Sequence, residues 1–180
     1  MSEGVRDARQ DAAFLGPSGC RDHPRCGLPA RSPSTRQARA ATATKTTTRP
    51  AAIDQDPATA WRTQHYNRPA LGGLKPGVGL VLGLDHAVPV AGRVLDLTLL
   101  SPGGSIEVYG AAGDAYPTSS PGGWTRLAAA PDVASRQQRL APAGQGSVRW
   151  YLVWFTSLPP APDDPSRFQD GIAEAVLRPS

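Results

Sequence analysis

The sequence has few cysteines and lacks any apolar run long enough to cross a membrane. Among its 180 residues only Cys20 and Cys26 are cysteines, and both lie near the amino terminus. The rest of the chain therefore has no disulfide to support it and must depend on an apolar core. A membrane helix needs roughly 20 mainly apolar residues, and no segment reaches that length. No apolar stretch follows the first charged residues, so no signal peptide is visible.

The motifs of common catalytic sites are also missing. The chain contains no Gly-x-Ser-x-Gly, no phosphate-binding loop ending in Gly-Lys-Ser/Thr, and neither His-Arg-Asp nor Asp-Phe-Gly of kinases. Neither His65 nor His86 has neighbours that suggest a catalytic triad. Two pairs of nearby carboxylates, Asp54/Asp56 and Asp163/Asp164, are compatible with a glycosidase that uses two carboxylates. Acidic turns are far commoner than such sites, so we predict that the chain is not an enzyme.

Positive charge is confined to the beginning of the chain. Residues 1–50 contain nine Lys and Arg against four Asp and Glu, whereas residues 51–180 contain ten against eleven. The high isoelectric point therefore belongs to the first segment, and we expect no nucleic acid as a partner. That segment is rich in Arg, Ala, Ser, Thr and Pro and has Phe14 as its one aromatic residue. It cannot bury enough apolar surface to fold, so we predict a disordered basic low-complexity leader or linker over 1–50 and a domain over 51–180.

Two other interpretations of the leader are open. Cys20, His23 and Cys26 offer three ligands, whereas a structural zinc site needs four and has a different spacing. We therefore prefer two incidental thiols. Text rich in Arg, Ala and Pro without periodicity is also typical of GC-rich DNA read out of frame, which would make part of the segment an artefact.

The domain begins with an acidic turn, Ile53 to Thr63, that reads I-D-Q-D-P-A-T-A-W-R-T. Asp54 and Asp56 can each accept a hydrogen bond from the backbone N–H two residues further on, and Pro57 fixes its own φ. Such a turn directs Trp61 inward, where a large aromatic side chain is buried. Both aspartates either cap this turn only, which we favour, or hold a structural calcium ion.

Short strands separated by Gly- and Pro-rich turns follow. Leu80–Leu84 is a continuous apolar run, which predicts either a strand that is covered on both faces or a part of a sandwich core. Asp85–His86 is predicted as a turn. Val94–Leu100 alternates apolar and polar residues. Val148–Phe155 is β-branched and aromatic throughout, which predicts a central strand. Gly171–Leu177 is predicted to pair near the first strand. About seven or eight short antiparallel strands indicate an all-β sandwich.

A polar loop after Trp61 is the first candidate for ligand binding. Gln64 to Gly73 combines donors, acceptors and an aromatic ring, which suits sugar recognition, although a plain surface loop would have the same composition. Stacking on a sugar face would fall to Tyr66 or Trp124. The predicted ligand-binding residues are Arg62, His65, Tyr66, Asn67, Arg68 and Trp124.

The acidic turn resembles the opening signature of discoidin, or coagulation-factor type C, domains, which are galactose-binding-like jelly-roll β-sandwiches. That family commonly has Gly where Gln55 stands, so a positive φ is harder to adopt in this chain. Three further segments, Leu71–Leu82, Arg149–Pro160 and Asp170–Val176, occur in the expected order. They are similar to a bacterial discoidin-like domain at the extracytoplasmic carboxyl terminus of lipid II flippase/pseudokinase fusions and serine/threonine-kinase-like proteins.

The resemblance implies a non-catalytic, extracytoplasmic binding module for carbohydrate or a cell-wall polymer. It would act as a monomer, at the cell surface when joined to a membrane protein, and need no cofactor beyond a structural calcium ion. The alternative is a protein–protein docking or structural appendage of the cell-wall machinery, present as a detached carboxyl-terminal fragment. A gene remnant without function is a third possibility.

Overall fold

The computed structural model describes residues 39–41 and 51–180, which form two antiparallel β-sheets. Sheet A has the strand order β1-β3-β8-β5-β6 and sheet B the order β2-β9-β4-β7. One short 3-10 helix covers Leu71–Gly73, and no helix in the described ranges is long and apolar enough to cross a membrane. The strands are β1 Arg39–Ala41, β2 Trp61–Arg62, β3 Val78–Pro89, β4 Arg93–Leu99, β5 Ser105–Ala111, β6 Thr125–Ala130, β7 Gln137–Leu140, β8 Ser147–Ser157 and β9 Gly171–Pro179.

Strand β1 is the only part of the predicted leader that the structure describes. It pairs antiparallel with β3, with Arg39 opposite Gly83 and Ala41 opposite Val81. These three residues are therefore in an extended strand at the edge of sheet A. The remainder of the leader prediction, including the Cys20–Cys26 segment, lies outside the described residues.

The main core lies between the two sheets and follows the alternation of the sequence. In β4, Leu95, Leu97 and Leu99 are at most 1 % exposed, whereas Asp96 and Thr98 are half-buried on the opposite face. The predicted alternation of this strand is thus confirmed. Its neighbours contribute the same kind of side chain: Leu80, Leu82, Leu84, Ile106, Val108, Tyr151, Val153, Phe155, Ile172, Ala175 and Leu177.

Strand β8 is central in sheet A, as its composition predicts. It pairs antiparallel with β3 on one side and with β5 on the other, and residues 151–155 are all buried. Strand β9 pairs with β2, which confirms that the last strand lies beside the first strand of the domain. The edge position of β7 agrees with its polar sequence. Residues 51–180 hold eight strands, and the predicted all-β sandwich is confirmed.

The predicted turn at Asp85–His86 is wrong, because β3 continues through these residues to Pro89. The pairing of β3 with β8 shifts register between Gly83 and Val88, where β8 advances only from Trp150 to Val148. The extra residues of β3 form an irregular, exposed stretch. A β-bulge lets a strand keep polar residues extended and exposed without ending it, which the local sequence could not distinguish from a turn.

Sheet A is covered on its outer face as well as on its inner face. Val81 and Leu152 are 0 % exposed there, and Trp154 is 6 % exposed. A Cβ on Gly77 would lie 2.1 Å from Nε1 of Trp154, so this glycine leaves room for the indole. The prediction that the Leu80–Leu84 strand is covered on both faces is confirmed. The half-buried residues that pack against this outer cluster are Tyr109, Tyr116, Trp124 and Trp150.

Candidate functional site

The acidic turn at the start of the domain is capped as predicted. Asp54 Oδ1 accepts a hydrogen bond from the N–H of Asp56 at 3.0 Å, and Asp56 Oδ1 accepts one from the N–H of Ala58 at 3.0 Å. Beyond the turn, the Trp61 ring stacks on Phe155 with centroids 6.2 Å apart. Trp61 is half-buried and packs against the main core, so its predicted inward orientation is confirmed.

Gln55 adopts the positive φ that its side chain was expected to disfavour. Its φ is 64°, in a region that costs an ordinary residue about 1 kcal/mol or more. The Gln55 N–H donates a hydrogen bond to Glu174 Oε2 at 3.1 Å. The N–H of the next residue, Asp56, donates one to Asp54 Oδ1. These hydrogen bonds offset the backbone strain, so the turn keeps its conformation without glycine.

Oxygen atoms converge around the hydroxyl of Thr59. Its Oγ1 lies 2.7 Å from Asp54 Oδ2, 3.0 Å from the carbonyl oxygen of Asp56 and 3.3 Å from that of Ala51. The hydroxyl has one proton for three acceptors. Burial raises the pKa of Glu174, and the nearby Asp54 carboxylate adds to the increase. Residues 51–180 show no group of three or more His, Cys, Asp or Glu side chains arranged for a metal. A hard cation would therefore depend on carbonyl and hydroxyl oxygens in addition to carboxylates, a donor set that suits calcium.

The predicted polar loop presents most of its side chains to solvent. Arg62, His65, Asn67 and Arg68 are all exposed. His65 Nε2 lies 3.4 Å from Asp163 Oδ1. A hydrogen bond from its own backbone, followed by the one with His65, lowers the pKa of Asp163. The structure thus brings these polar groups to one end of the sandwich.

Tyr66 does not fit a role in stacking on a sugar. Its side chain is 6 % exposed and belongs to the main core. Its backbone forms a bridge with Phe168, with N–H to O distances of 2.9 and 2.8 Å. Nζ of Lys75 lies 5.8 Å from the ring centroid. A polar-looking loop therefore contains a core residue, because its backbone pairs with a second loop.

Trp124 lies at the other end of the sandwich from the predicted loop. It precedes β6, whose first residue Thr125 pairs with Gly110 near the end of β5. The polar loop leads instead into the start of β3, where Val78 pairs with Phe155 near the end of β8. Because neighbouring strands are antiparallel, these two places are opposite ends of sheet A. The predicted ligand-binding residues therefore form two separate groups.

Trp124 belongs to a set of three aromatic rings, Tyr116, Trp124 and Trp150, which we call the aromatic surface. The Tyr116 ring stacks near Trp124 with centroids 6.5 Å apart, and meets Trp150 edge-on at 5.5 Å. All three residues are half-buried. Tyr116 and Trp150 were not among the ligand-binding residues predicted from the sequence. Trp150 could have been considered because it lies in the strongest predicted strand. Tyr116 lies in a loop, and only the tertiary structure shows where that loop is placed.

The loop over residues 112–124 is held against sheet A by hydrogen bonds. Trp150 Nε1 donates to the carbonyl oxygen of Gly113 at 3.2 Å, and Trp124 Nε1 donates to that of Thr118 at 3.0 Å. Arg149 Nη1 donates to Asp114 Oδ1 at 2.9 Å. The indole N–H groups of Trp124 and Trp150 are thus both satisfied by the loop, and the aromatic surface is fixed before any ligand arrives.

Polar side chains border the outer cluster on β5 and β6. Glu107 Oε2 accepts a hydrogen bond from the Tyr109 hydroxyl at 2.5 Å, and Glu107 Oε1 lies 2.9 Å from Arg126 Nη2. Burial raises the pKa of Tyr109 to about 12, and the hydrogen bond to Glu107 contributes to the increase. The hydroxyl therefore keeps its proton at neutral pH and acts as a donor to Glu107.

Comparison with known proteins places the fold but not a family. No family model and no curated protein matches the chain. Among solved structures, it is similar to chitosan-binding module 2 of a Paenibacillus sp. IK-5 chitosanase/glucanase, in complex with chitotriose: TM-score 0.54, 14 % identity, over 79 % of this chain and 97 % of that one. It is similar also to CpGH89CBM32-6 from Clostridium perfringens, with TM-score 0.52 and 9 % identity over 82 % and 96 %.

A longer enzyme is matched over one part only. Against the Ruminococcus gnavus GH29 fucosidase E1_10125 in complex with fucose, the match covers 72 % of this chain but 22 % of that one, with TM-score 0.49 and 15 % identity. By contrast, the matches to chitosan-binding module 2 and CpGH89CBM32-6 cover 97 % and 96 % of those chains. Its fold is the β-sandwich of those modules.

Proposed function

We propose that this protein is a non-catalytic saccharide-binding module and that the aromatic surface is where the sugar stacks. The observation that carries the proposal is the contact of Tyr116, Trp124 and Trp150 on a part of the outer face that hydrogen bonds fix in place. Aromatic rings beside a few placed polar groups are the usual lining of small-ligand sites. The similarity in fold to chitosan-binding modules supports saccharide binding as a class of function.

The cell-wall setting is a further part of the proposal and is supported by the sequence resemblance alone. A cell-wall polymer outside the membrane would be the ligand, and a flippase- or kinase-like membrane protein would be the host. Docking onto a protein partner has less support. Leu74, 81 % exposed, is the one large hydrophobic side chain that stands exposed among the described residues, whereas an interface usually needs a contiguous apolar patch.

Replacing Trp124 is expected to weaken saccharide binding. Trp124→Ala removes one of the three rings, and the affinity for a fully N-acetylated chito-oligosaccharide should fall about tenfold, equivalent to about 1.4 kcal/mol. Isothermal titration calorimetry with the full chain measures this directly. Circular dichroism of the variant should show that the sandwich remains folded.

The matched control is a double variant in the predicted polar loop, His65→Ala with Arg68→Ala. Both side chains are exposed at the opposite end of sheet A, so the affinity is expected to stay within about twofold of wild type. Loss of binding in the control together with full binding by Trp124→Ala would move the site to the polar loop, as the sequence first indicated. Binding by neither wild type nor variant would defeat the proposed function.

We also propose that the acidic turn holds a structural calcium ion. The oxygen atoms around Thr59, with Asp54 and Glu174, support this proposal. Calcium at about 100 times its dissociation constant should stabilise the fold by about 2.7 kcal/mol, measured as a rise in Tm over an EDTA-treated sample. Asp54→Asn should remove the rise, and Asp163→Asn, at the other acidic site, should keep it. If calcium leaves the Tm of the wild type unchanged, the proposed calcium site is wrong.

A further inference from the structure

Two ion pairs among the described residues lie beside the aromatic surface or the outer cluster beneath it. In the first pair, Glu107 accepts a hydrogen bond from Tyr109 of the outer cluster and pairs with Arg126. In the second, the Arg149 guanidinium lies over the Trp150 ring and pairs with Asp114. The formal charge of this set is zero. The surface therefore differs from one that recruits an ionic ligand, which would carry an excess of one sign.

The Glu107 carboxylate has both oxygen atoms engaged. One accepts from the Tyr109 hydroxyl at 2.5 Å, and the other lies 2.9 Å from the Arg126 guanidinium. The Glu107 side chain is 24 % exposed, so it is shielded from water more than Arg126, which is 56 % exposed. A cationic ligand that approached Glu107 would have to displace a guanidinium that already neutralises it.

Arg149 is committed in a similar way. Its Nη1 donates to Asp114 at 2.9 Å, its Nε donates to the carbonyl oxygen of Leu84 at 3.3 Å, and its guanidinium lies 5.6 Å from the centroid of the Trp150 ring. An anionic ligand that paired with Arg149 would therefore have to replace the exposed Asp114 carboxylate, one negative charge for another. Arginine on an aromatic face also keeps its planar group parallel to a surface instead of projecting it as a free charge.

We infer that the ligand of the aromatic surface is an electrically neutral saccharide, neither an amine-bearing nor a carboxylate-bearing one. This inference depends on the proposed function and specifies the class of sugar. A charged group that approaches the three rings loses hydration, and each of the four charges named above already has a partner of opposite sign. Hydroxyl and acetamido groups lose less hydration and can share the lone pairs and N–H groups of the paired side chains. The affinity then depends on stacking against the rings, and salt has little effect on the affinity because the ligand carries no charge to screen.

The test compares three trisaccharides on the full chain by calorimetry, at about 0.02 M and about 0.2 M salt. The neutral probe is fully N-acetylated chitotriose, the cationic probe is chitotriose at a pH where its amines are protonated, and the anionic probe is a trigalacturonate. Each is measured with wild type and with Trp124→Ala, because only binding that depends on Trp124 belongs to this surface. The basic residues of the first 50 positions could attract the anion elsewhere, and the Trp124 variant subtracts that contribution.

The neutral trisaccharide is expected to bind through Trp124 at least about tenfold more tightly than either charged one, with less than about a twofold change between the two salt concentrations. Glu107→Gln leaves Arg126 without its counter-charge, and is expected to add salt-sensitive binding of the anionic probe. Tighter Trp124-dependent binding of a charged trisaccharide by the wild type would overturn the neutral class and leave the proposed function standing. Absence of Trp124-dependent binding for all three probes would overturn both.

Discussion

Gly79→Ala is expected to lower the free energy of unfolding by about 3 kcal/mol, at the upper end of the range for overpacking. A Cβ at position 79 would lie 2.2 Å from the carbonyl oxygen of Val153 and 2.9 Å from Cε3 of Trp154. The first of these atoms is backbone of the central strand β8, which pairs on both sides and cannot move without disturbing sheet A. The backbone of β8 therefore cannot move aside to relieve this clash, as the end of a flexible side chain could.

Gly122→Ala is the matched control for this substitution. A Cβ there would meet no atom within 4 Å, and Gly122 lacks a positive φ. The control should change the free energy of unfolding by less than about 0.5 kcal/mol in either direction. Chemical denaturation of the three proteins gives both differences. Equal stability of Gly79→Ala and Gly122→Ala would show that β3 and β8 are less tightly apposed than the structure has them.

Asp170 should make the protein more stable as the pH falls from 7 to 4. Its side chain is 1 % exposed, and Oδ1 accepts hydrogen bonds from the N–H groups of Ser101 at 3.2 Å and Gly171 at 2.8 Å. Oδ2 has no hydrogen-bond partner among the described residues. Burial raises the pKa of Asp170 from 3.8 to about 6, although those backbone N–H groups and the nearby Arg136 act in the opposite direction.

The direction of the pH effect follows from which state holds the proton more tightly. Between pH 3.8 and about 6 the folded protein binds a proton at Asp170 that the unfolded chain releases. The resulting stabilisation is complete below the unfolded pKa and is lost as the pH rises through the folded one. A shift of this size corresponds to about 2 kcal/mol between pH 7 and pH 4, since one pKa unit is worth about 1.4 kcal/mol.

The measurement is the difference in free energy of unfolding between wild type and Asp170→Asn across this pH range. Asparagine can still accept from Ser101 and Gly171 but does not titrate, so the wild type should gain about 2 kcal/mol on the variant on going to pH 4. Asp163→Asn is the control. The pKa of Asp163 is lowered from 3.8 instead, so its contribution is lost only below that pH, and Asp163→Asn should keep a nearly constant difference from wild type between pH 7 and pH 4. A constant difference between wild type and Asp170→Asn would contradict the raised pKa.

The sequence predicted the strands well because their signals are local. In β4 the alternation of leucines with Asp96 and Thr98 reflects a two-sided environment that every second residue repeats. The caps of the acidic turn were also predictable, since Asp54 and Asp56 bond to atoms two residues away. Each of these features depends on neighbours along the chain, and needs no knowledge of what else folds against it.

The functional residues were harder to predict because their contacts join distant segments. Tyr66 looked like a loop aromatic, and only its bridge with Phe168 shows that it is a core residue. The aromatic surface joins Tyr116 and Trp124 to Trp150, more than 25 positions later in the chain. The periodicity of a single segment cannot predict this contact, because the antiparallel register of sheet A determines which distant residues lie side by side.

The sequence by itself determined a β-sandwich and the caps of its acidic turn, because side-chain alternation and short-range hydrogen bonds are properties of consecutive residues. The tertiary structure alone decided which aromatic rings meet on the outer face and which carboxylates are paired or buried. Those properties depend on the register between strands and on the loops that cover them, so residues far apart in the sequence acquire a common environment only when both sheets are in place.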